Sequence, residues 1–285
     1  MITKSKPDIA RPLRNAKGSF ILDRAKKRLE EINQRETQAA APSTSRAKAL
    51  EALRHDIPGV QVNFDTITGA PSHIMATGRF LTTGKPGATD PDSAVRDFVS
   101  KYEALFGHGA TALQAGQSRV TREDVTAHNG MRTVVWQQEV AGVPVFQTVF
   151  KANLTKNGDL VTLGSHFMGN PIHAAGEQLK LVARPPVDAG DAMSSVARNL
   201  GGDLQKAEVT SNSLVQGAEK AQKLTAPGYS DTTAHLSWVP MNENTLRLAW
   251  QVETFSLQQN EMFRVLVDAE KGTVLVRQSI TTDIS

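Results

Sequence analysis

The sequence of 285 residues contains no cysteine. This absence excludes disulfides, thiolate zinc sites and cysteine nucleophiles. The chain also lacks a run of about 18 apolar residues, which a transmembrane helix would need, so no transmembrane segment is predicted. Apolar residues make up 39% of the chain and charged residues 21%. Such a composition is typical of a soluble globular protein with some disordered segments.

The motifs of common hydrolases and nucleotide-binding proteins are also absent. A gluzincin needs His-Glu-x-x-His on a helix, so that both imidazoles bind one zinc ion, and this spacing does not occur. His166 and His173 are the closest histidines, but the turn-forming residues 169–171 between them argue against a metal site. Gly164-Ser165-His166 is not the Gly-x-Ser-x-Gly of a serine hydrolase. The sequence therefore predicts no enzyme activity, no cofactor and no metal site in this chain.

Basic residues are concentrated near the N-terminus. Residues 1–54 contain 13 Lys or Arg and 6 Asp or Glu, a net charge of +7, whereas the remainder carries a net charge of −4. A basic arm can bind nucleic acid or an anionic membrane, but no set of aromatic residues interleaves with these charges to stack on bases. A solvated leader is favoured, and no nucleic-acid partner is predicted. Residues 1–17 lack a following apolar h-region, so no Sec signal peptide is predicted.

The first part of the chain alternates helix and linker signals. Apolar residues at intervals of three and four predict a helix over 20–33. Residues 37–45 are rich in Ala, Ser, Thr and Pro and predict a linker, and a short helix is predicted over 46–54. The folded body is expected to begin near Val60, which leaves residues 1–57 as a basic arm and linker.

Along the rest of the chain, a helix is twice followed by hairpins. The first helix is predicted to start at Asp90 as the N-cap and to end at Gly107, with one apolar stripe between them. The second is predicted over 189–200. The repeated order predicts an α+β fold of two tandem lobes, each an antiparallel sheet packed on a helix, over residues 58–170 and 171–285.

Two turns divide the strands of the first predicted lobe. Ala141-Gly142 is expected to turn one hairpin. Asn157-Gly158 is expected to turn the next, with positive φ at both residues. Gln137 and Gln138 lie on opposite faces of one predicted strand. We therefore expect one of them to be buried and hydrogen-bonded, and the other to be able to face a partner.

These strands carry a motif that resembles a known family. Residues 134–146, Val-Val-Trp-Gln-Gln-Glu-Val-Ala-Gly-Val-Pro-Val-Phe, are similar to the core of the fungalysin/thermolysin propeptide (FTP) motif. Residues 248–252 and 263–275 resemble the end of a PepSY domain. Residues 58–170 are thus expected to form an FTP-like domain and residues 171–285 a PepSY-like domain, each with a cystatin-like fold. The resemblance marks the following residues as candidates to face a protease: Trp136, Gln137, Gln138, Gly142, Val143, Pro144, Val145, Phe146, Asp268 and Gly272.

The resemblance implies a function. Pro-regions of fungalysin-type zinc metalloproteases assist folding of the protease domain, occlude its cleft and are later cleaved off. The chain is therefore expected to be a non-catalytic intramolecular chaperone and inhibitor, secreted or extracytoplasmic, of a thermolysin/fungalysin-like protease domain in cis or in trans. Zinc is expected only in that protease. The alternative is a stand-alone PepSY/FTP-type module that inhibits or senses proteases in trans. A His-Glu-x-x-His encoded downstream favours the first hypothesis, and a stop codon after Ser285 the second.

The C-terminal strands suggest a physical route to inhibition. Asp268 is expected to cap the last tight turn, and Gly272 to supply its positive φ. An edge strand or an extended tail can enter a protease cleft by β-augmentation. Covalent linkage raises the effective concentration to about the millimolar range. The tail of residues 277–285 is expected to be the segment best placed to enter a cleft.

Overall fold

The structure, a computed structural model, describes residues 31–37, 43–84 and 90–281. The compact unit that contains this fold begins at Ile32. Most of the helix predicted over 20–33 lies outside the described residues. Its last two residues, Ile32–Asn33, form a strand that pairs with a C-terminal strand, so the helix prediction is wrong there. No helix in the described ranges is long and apolar enough to cross a membrane.

The described part of the chain contains five α-helices and three short 3₁₀ turns. The α-helices are α1 (Thr44–Asp56), α2 (Ser93–Lys101), α3 (Glu103–Phe106), α4 (Pro171–Ala175) and α5 (Ala189–Asn199). The 3₁₀ turns span Ala110–Leu113, Gly176–Leu181 and Lys206–Glu208.

Thirteen strands of the described chain join one mixed sheet, so the predicted α+β class is confirmed. The strands are β1 (Ile32–Asn33), β2 (Val60–Asn63), β3 (His73–Ala76), β4 (Ser118–Val125), β5 (Arg132–Val140), β6 (Val143–Leu154), β7 (Leu160–Ser165), β8 (Thr210–Ser211), β9 (Gln222–Thr225), β10 (Tyr229–Asn242), β11 (Thr245–Ser256), β12 (Glu261–Asp268) and β13 (Val274–Ser279).

The strand order places the two halves of the chain side by side. Neighbouring strands follow the order β1-β13-β12-β11-β10-β6-β7-β3-β2, while β4 joins β6 through β5 and β8 joins β10 through β9. The two halves meet where β10 pairs with β6 through Trp238 and Val145, in parallel. Strand pairs within each half are antiparallel, which is the pairing that short hairpin connections allow.

The helix predicted to end at Gly107 is divided in two. Helices α2 and α3 meet at Tyr102, and Gly107, with a φ of 78°, ends α3 as predicted. Asp90 is not the N-cap, because Asp92 occupies that position. The carboxylate of Asp90 accepts the backbone N–H of Asp92 at 2.9 Å in a turn that precedes the helix. The helix begins two residues later than predicted, at Ser93. Its predicted apolar stripe is buried throughout: Val95, Phe98, Val99, Tyr102, Leu105 and Phe106.

Helix α1 packs into the hydrophobic core that contains the apolar stripe of α2 and α3. Leu50 and Leu53 of α1 are buried against residues of α2, α3 and the first strands. At the end of α1, the carboxylate of Asp56 accepts a 2.9 Å hydrogen bond from the hydroxyl group of Tyr102. The predicted helix over 46–54 is confirmed and is longer at both ends. The folded body therefore starts upstream of Val60, because the leucines of α1 are part of the core.

Helix α5 packs on the second half of the sheet. Asp188 and Asp191 form a capping box at its N-terminus, which satisfies backbone N–H groups that lack helical partners. Gly201, with a φ of 83°, follows the helix, in agreement with the predicted end. The indole N–H of Trp250 donates a 2.8 Å hydrogen bond to the carbonyl oxygen of Val187. This contact holds the segment that leads into α5 against β11.

The C-terminal strand is part of the sheet rather than a tail. Arg277 is buried within β13, and the N–H of Ile280 donates to the carbonyl oxygen of Met262 at 2.8 Å. The prediction of an extended tail over 277–285 is therefore wrong in its first part, because those residues pair with β12. Residues 282–285 of that prediction lie outside the described residues.

Candidate functional site

The motif of residues 134–146 lies on β5, β6 and the turn between them. Ala141 and Gly142 have φ values of 53° and 74°, the backbone of a two-residue type I′ hairpin. Trp136, Val143 and Val145 are buried. The predicted turn is thus confirmed, and the motif residues on either side of it contribute to the core.

The next hairpin differs from its prediction. Only Gly158 of the Asn157-Gly158 pair has positive φ. The N–H of Thr155 donates to the carbonyl oxygen of Asp159 at 2.9 Å, which closes a three-residue loop. Such a loop places glycine in the left-handed conformation after an ordinary turn, so positive φ at Asn157 is not needed.

Gln138 joins the motif to the chain that follows β7. Its side-chain N–H donates to the carbonyl oxygen of Met168 at 2.9 Å, and its side-chain oxygen accepts the N–H of Met168 at 2.9 Å. Both residues are buried. The primary amide therefore pairs with the main chain of Met168 as a neighbouring strand would. This confirms that one of the two glutamines is buried and hydrogen-bonded.

Gln137 stabilises an irregular part of β6. Gln137 pairs with Val149 and Glu139 pairs with Pro144, so residues 145–148 stand opposite Gln138 alone. Such a bulge leaves carbonyl groups without a strand partner. The amide nitrogen of Gln137 donates to the carbonyl oxygens of residues 145 and 148, at 2.6 and 3.0 Å. Gln137 is half-buried and bonded to its own chain, and its contact with a protease stays a prediction.

The end of the motif also forms the joint between the two halves of the sheet. Phe146 belongs to a buried cluster with Val239 and Leu266 of the second half. The indole N–H of Trp238 donates to the carbonyl oxygen of Val140 at 3.1 Å. The Phe146 side chain therefore packs against the second half of the sheet, and Trp238 bonds to the strand that precedes the turn.

The remaining candidates occupy structural positions. Pro144 is half-buried in β6. Asp268 is buried, and its carboxylate accepts the N–H groups of Glu270 and Lys271, both at 2.9 Å. Gly272 has a φ of 70°. The predicted roles of Asp268 and Gly272 in the last turn are confirmed, while a protease-facing role for any candidate stays a prediction.

A cavity beside the bulge contains charged residues that the sequence did not identify as a site. It has a volume of about 430 Å³ and is lined by Arg35, Asp65 and His166 among others. The His166 ring nitrogen Nδ1 lies 2.8 Å from a carboxylate oxygen of Asp65. No local signal could have revealed this pair, since 101 residues separate its members. In the described ranges, no group of three or more His, Asp or Glu is arranged to hold a metal ion.

One segment of the chain matches a protein-family model. Residues 117–167 match the family described as the Fungalysin/Thermolysin Propeptide Motif. This segment contains strands β4 to β7 and both hairpins. The FTP part of the sequence resemblance is therefore confirmed, whereas the match does not extend to the second half.

Curated relatives show the same similarity. The chain is 31% identical over 55% of its length to "Extracellular metalloproteinase mep" of Aspergillus terreus. It is 24% identical over 81% of its length to "Extracellular metalloproteinase MEP" of Leptosphaeria maculans. The matched regions cover 24% and 32% of these two proteins, so the chain spans only about a quarter to a third of their length.

Among solved structures, the C-terminal domain of Bacillus megaterium YpeB aligns with 85% of this chain and 99% of its own chain. The TM-score is 0.32 and the sequence identity is 8%. A likeness of this degree is too weak to show a shared fold.

Proposed function

We propose that this chain is the non-catalytic pro-region of a secreted, fungalysin-type zinc metalloprotease, whose folding it assists and whose activity it inhibits. The observation that carries the proposal is the match of residues 117–167 to a propeptide motif. Similarity to proteins named extracellular metalloproteinases supports secretion and a protease partner. The chain itself needs no cofactor in this proposal, and zinc binds in the protease domain.

We further propose that each half of the chain forms a cystatin-like lobe, with residues 171–285 as a PepSY-like domain. Two features support this assignment. Helix α5 precedes the antiparallel strands β10 to β13, as α2 and α3 precede β4 to β7. Among the described strands, residues 58–170 and residues 171–285 share one pairing, that of β6 with β10.

Strand β4 is the edge that we propose to bind the protease cleft. In the described residues β4 pairs only with β5, and seven of its eight residues are exposed. An edge of this kind can accept an extended segment by β-augmentation. Val120 and Val125 are its exposed apolar residues. Arg119 on the same strand is already paired with Glu139, so the valines are the better contacts for a partner.

The proposal is tested with the purified chain and the protease domain of a fungalysin-type enzyme. The chain should inhibit peptide hydrolysis at micromolar concentration, and it should raise the yield of active protease when the denatured protease domain is refolded. Linkage in cis would strengthen both effects through a high effective concentration. Absence of both effects would contradict the proposal.

A pair of matched variants tests the assignment of β4. Val125→Lys places a charge on the β4 edge, whereas Val215→Lys places the same charge on another exposed valine outside the matched segment. Val125→Lys should weaken inhibition by about tenfold. Val215→Lys should leave inhibition unchanged. Equal effects of the two variants would rule out β4 as the specific contact.

A further inference from the structure

We propose that the cavity beside the β6 bulge binds the free C-terminal carboxylate of a peptide whose last residue is apolar. Arg35 and His166 line the cavity, and its walls also include Ile67, Phe146 and Val149. Its volume of about 430 Å³ lies in the range of small-ligand sites. This combination of a cation, an imidazole and an apolar wall defines the ligand class.

Arg35 is the group that most needs an anionic partner. Its guanidinium donates to the side-chain oxygens of Asn33 and Gln147, both at 2.9 Å. Both acceptors are neutral amides, and no carboxylate among the described residues forms an ion pair with Arg35. Burial lowers the pKa of Arg35, and the charge of Asp65 counteracts that effect only in part. A carboxylate ligand would form an ion pair with the Arg35 guanidinium and so neutralise its charge.

The hydrogen bonds of the Asp65 carboxylate are made with donors other than Arg35. One oxygen accepts the N–H groups of Ile67 and Thr68, at 2.8 and 2.7 Å. The other faces Nδ1 of His166 at 2.8 Å. Burial raises the pKa of Asp65, but these hydrogen bonds outweigh burial and hold it well below its usual range. Asp65 therefore stays ionised and orients His166, whose second nitrogen lies on the opposite edge of the ring.

The bulge holds Arg35 in place. The guanidinium carbon of Arg35 lies 5.4 Å from the centre of the Phe146 ring, which is within cation–π range. Gln147, which accepts from Arg35, has a φ of 58°, a strained conformation for a residue other than glycine. Backbone strain of this kind concentrates at binding sites, where it fixes side-chain geometry. The bulge thus positions Arg35, because both Phe146 and Gln147 contact its guanidinium.

The composition of the cavity favours a carboxylate over other anions and over cations. A guanidinium fork matches the two oxygens of a carboxylate. A phosphate dianion would bring a second negative charge close to Asp65, and a metal cation would meet the charge of Arg35. The apolar wall favours a hydrophobic side chain next to the carboxylate. Endoproteolysis releases peptides with free C-terminal carboxylates. That the pro-region responds to products of its protease is the one step here that rests on the proposed function.

Calorimetric titration of the full chain tests the site without a protease. The probe is the peptide acetyl-Ala-Leu with a free carboxylate, and its C-terminal amide is the matched control ligand. We expect the acid to bind and the amide to bind at least about tenfold more weakly, as the loss of a charge-assisted contact implies. Absence of binding by the acid at millimolar concentration, or equal binding of acid and amide, would overturn the proposal. Equally tight binding of acetyl-aspartate amide would overturn the assignment to a C-terminus.

Variants identify the residue that binds. Arg35→Gln should weaken binding of the acid by at least about tenfold. Arg54→Gln, which changes an exposed arginine of α1, should not. Circular dichroism checks that both variants are folded. Gln147→Gly provides a second route, because it removes the acceptor that positions Arg35 and suits the positive φ. Unchanged affinity in both Arg35→Gln and Gln147→Gly would contradict the site.

Discussion

The side chain of Gln138 forms two hydrogen bonds with the main chain of Met168, one to its carbonyl oxygen and one from its N–H, each 2.9 Å long. Thirty residues separate the two positions. The pairing fixes the end of the propeptide-motif segment against β5. Because both residues are buried, no solvent can replace a lost partner.

Replacing Gln138 should therefore destabilise the fold strongly. Gln138→Met keeps the length of the side chain but removes both hydrogen bonds, and it leaves a buried N–H and a buried carbonyl unsatisfied. We expect the free energy of unfolding to fall by about 2–4 kcal/mol, as measured by urea denaturation. Gln117→Met, at an exposed position nearby, should change it by less than about 0.5 kcal/mol. Similar losses in the two variants would contradict the assigned role of the pairing.

Local patterns in the sequence predict much of this fold. The apolar stripe before Gly107, the turn at Ala141-Gly142 and the cap at Asp268 all depend on residues a few positions apart. Each of these predictions agrees with the structure. The local rule failed at Asp90, whose carboxylate bonds within a turn that precedes the helix, while the helix itself begins at Ser93.

The candidate cavity could not be predicted in the same way. Arg35 and Gln147 are 112 residues apart, and Asp65 and His166 are 101 residues apart. The bulge that brings Gln147 to Arg35 interrupts strand alternation over residues 145–148, which contain no glycine; Pro144 borders the bulge but does not indicate which residue approaches Gln147. Side-chain periodicity describes one element at a time, so it carries no information on which elements become neighbours. The strand at Ile32–Asn33 was missed for the same reason, since its partner is β13.

The turn at Ala141 offers a stabilising substitution. Ala141 has a φ of 53° and is exposed, a conformation that is unfavourable for alanine and well suited to asparagine before glycine. Ala141→Asn should raise the free energy of unfolding by about 0.5–1 kcal/mol in urea denaturation. Ala127→Asn, at an exposed alanine without positive φ, should have little effect. A loss of stability in Ala141→Asn would argue against the type I′ geometry.

His108 should make stability depend on pH. The residue is 7% exposed, its Nε2 has no hydrogen-bond partner in the described chain, and Phe106 and Phe167 lie against its ring. Burial lowers the pKa of His108, opposed by a hydrogen bond to the carbonyl of Gly109 and by the charge of Glu103. A histidine with a lowered folded pKa binds its proton more readily when unfolded. Its contribution to stability is therefore complete above the unfolded pKa of about 6.5 and declines as the pH falls below it.

Urea denaturation at about pH 7.5 and about pH 5 tests this prediction. The wild-type chain should lose more stability on acidification than His108→Leu, with a difference in slope of up to about 1.4 kcal/mol per pH unit. His235 also has a pKa lowered by burial, but it is present in both proteins and cancels in the comparison. His128→Leu, at an exposed histidine, should behave as the wild type does. Equal pH dependence in the wild type and His108→Leu would refute the assignment.

The ion pair between Arg247 and Asp268 should be strongly coupled. Nε and Nη2 of Arg247 donate to one carboxylate oxygen of Asp268, at 2.9 and 2.5 Å, and the Asp268 side chain is only 2% exposed. Arg247→Met leaves a buried carboxylate without its partner, which should cost about 3–5 kcal/mol. Asp268→Asn turns an amide N–H toward the guanidinium and should also destabilise the turn.

A double-mutant cycle measures this coupling. Once either charge is removed, removal of the other no longer breaks the pair, so the double variant should be more stable than the sum of the single losses predicts, by at least about 1 kcal/mol. The exposed pair of Glu177 and Lys180 provides the control cycle, with an expected coupling below about 0.5 kcal/mol. Coupling energies of similar size in the two cycles would mean that burial does not strengthen the Arg247–Asp268 pair. The turn that ends at Gly272 would then depend on the backbone hydrogen bonds of Asp268 alone.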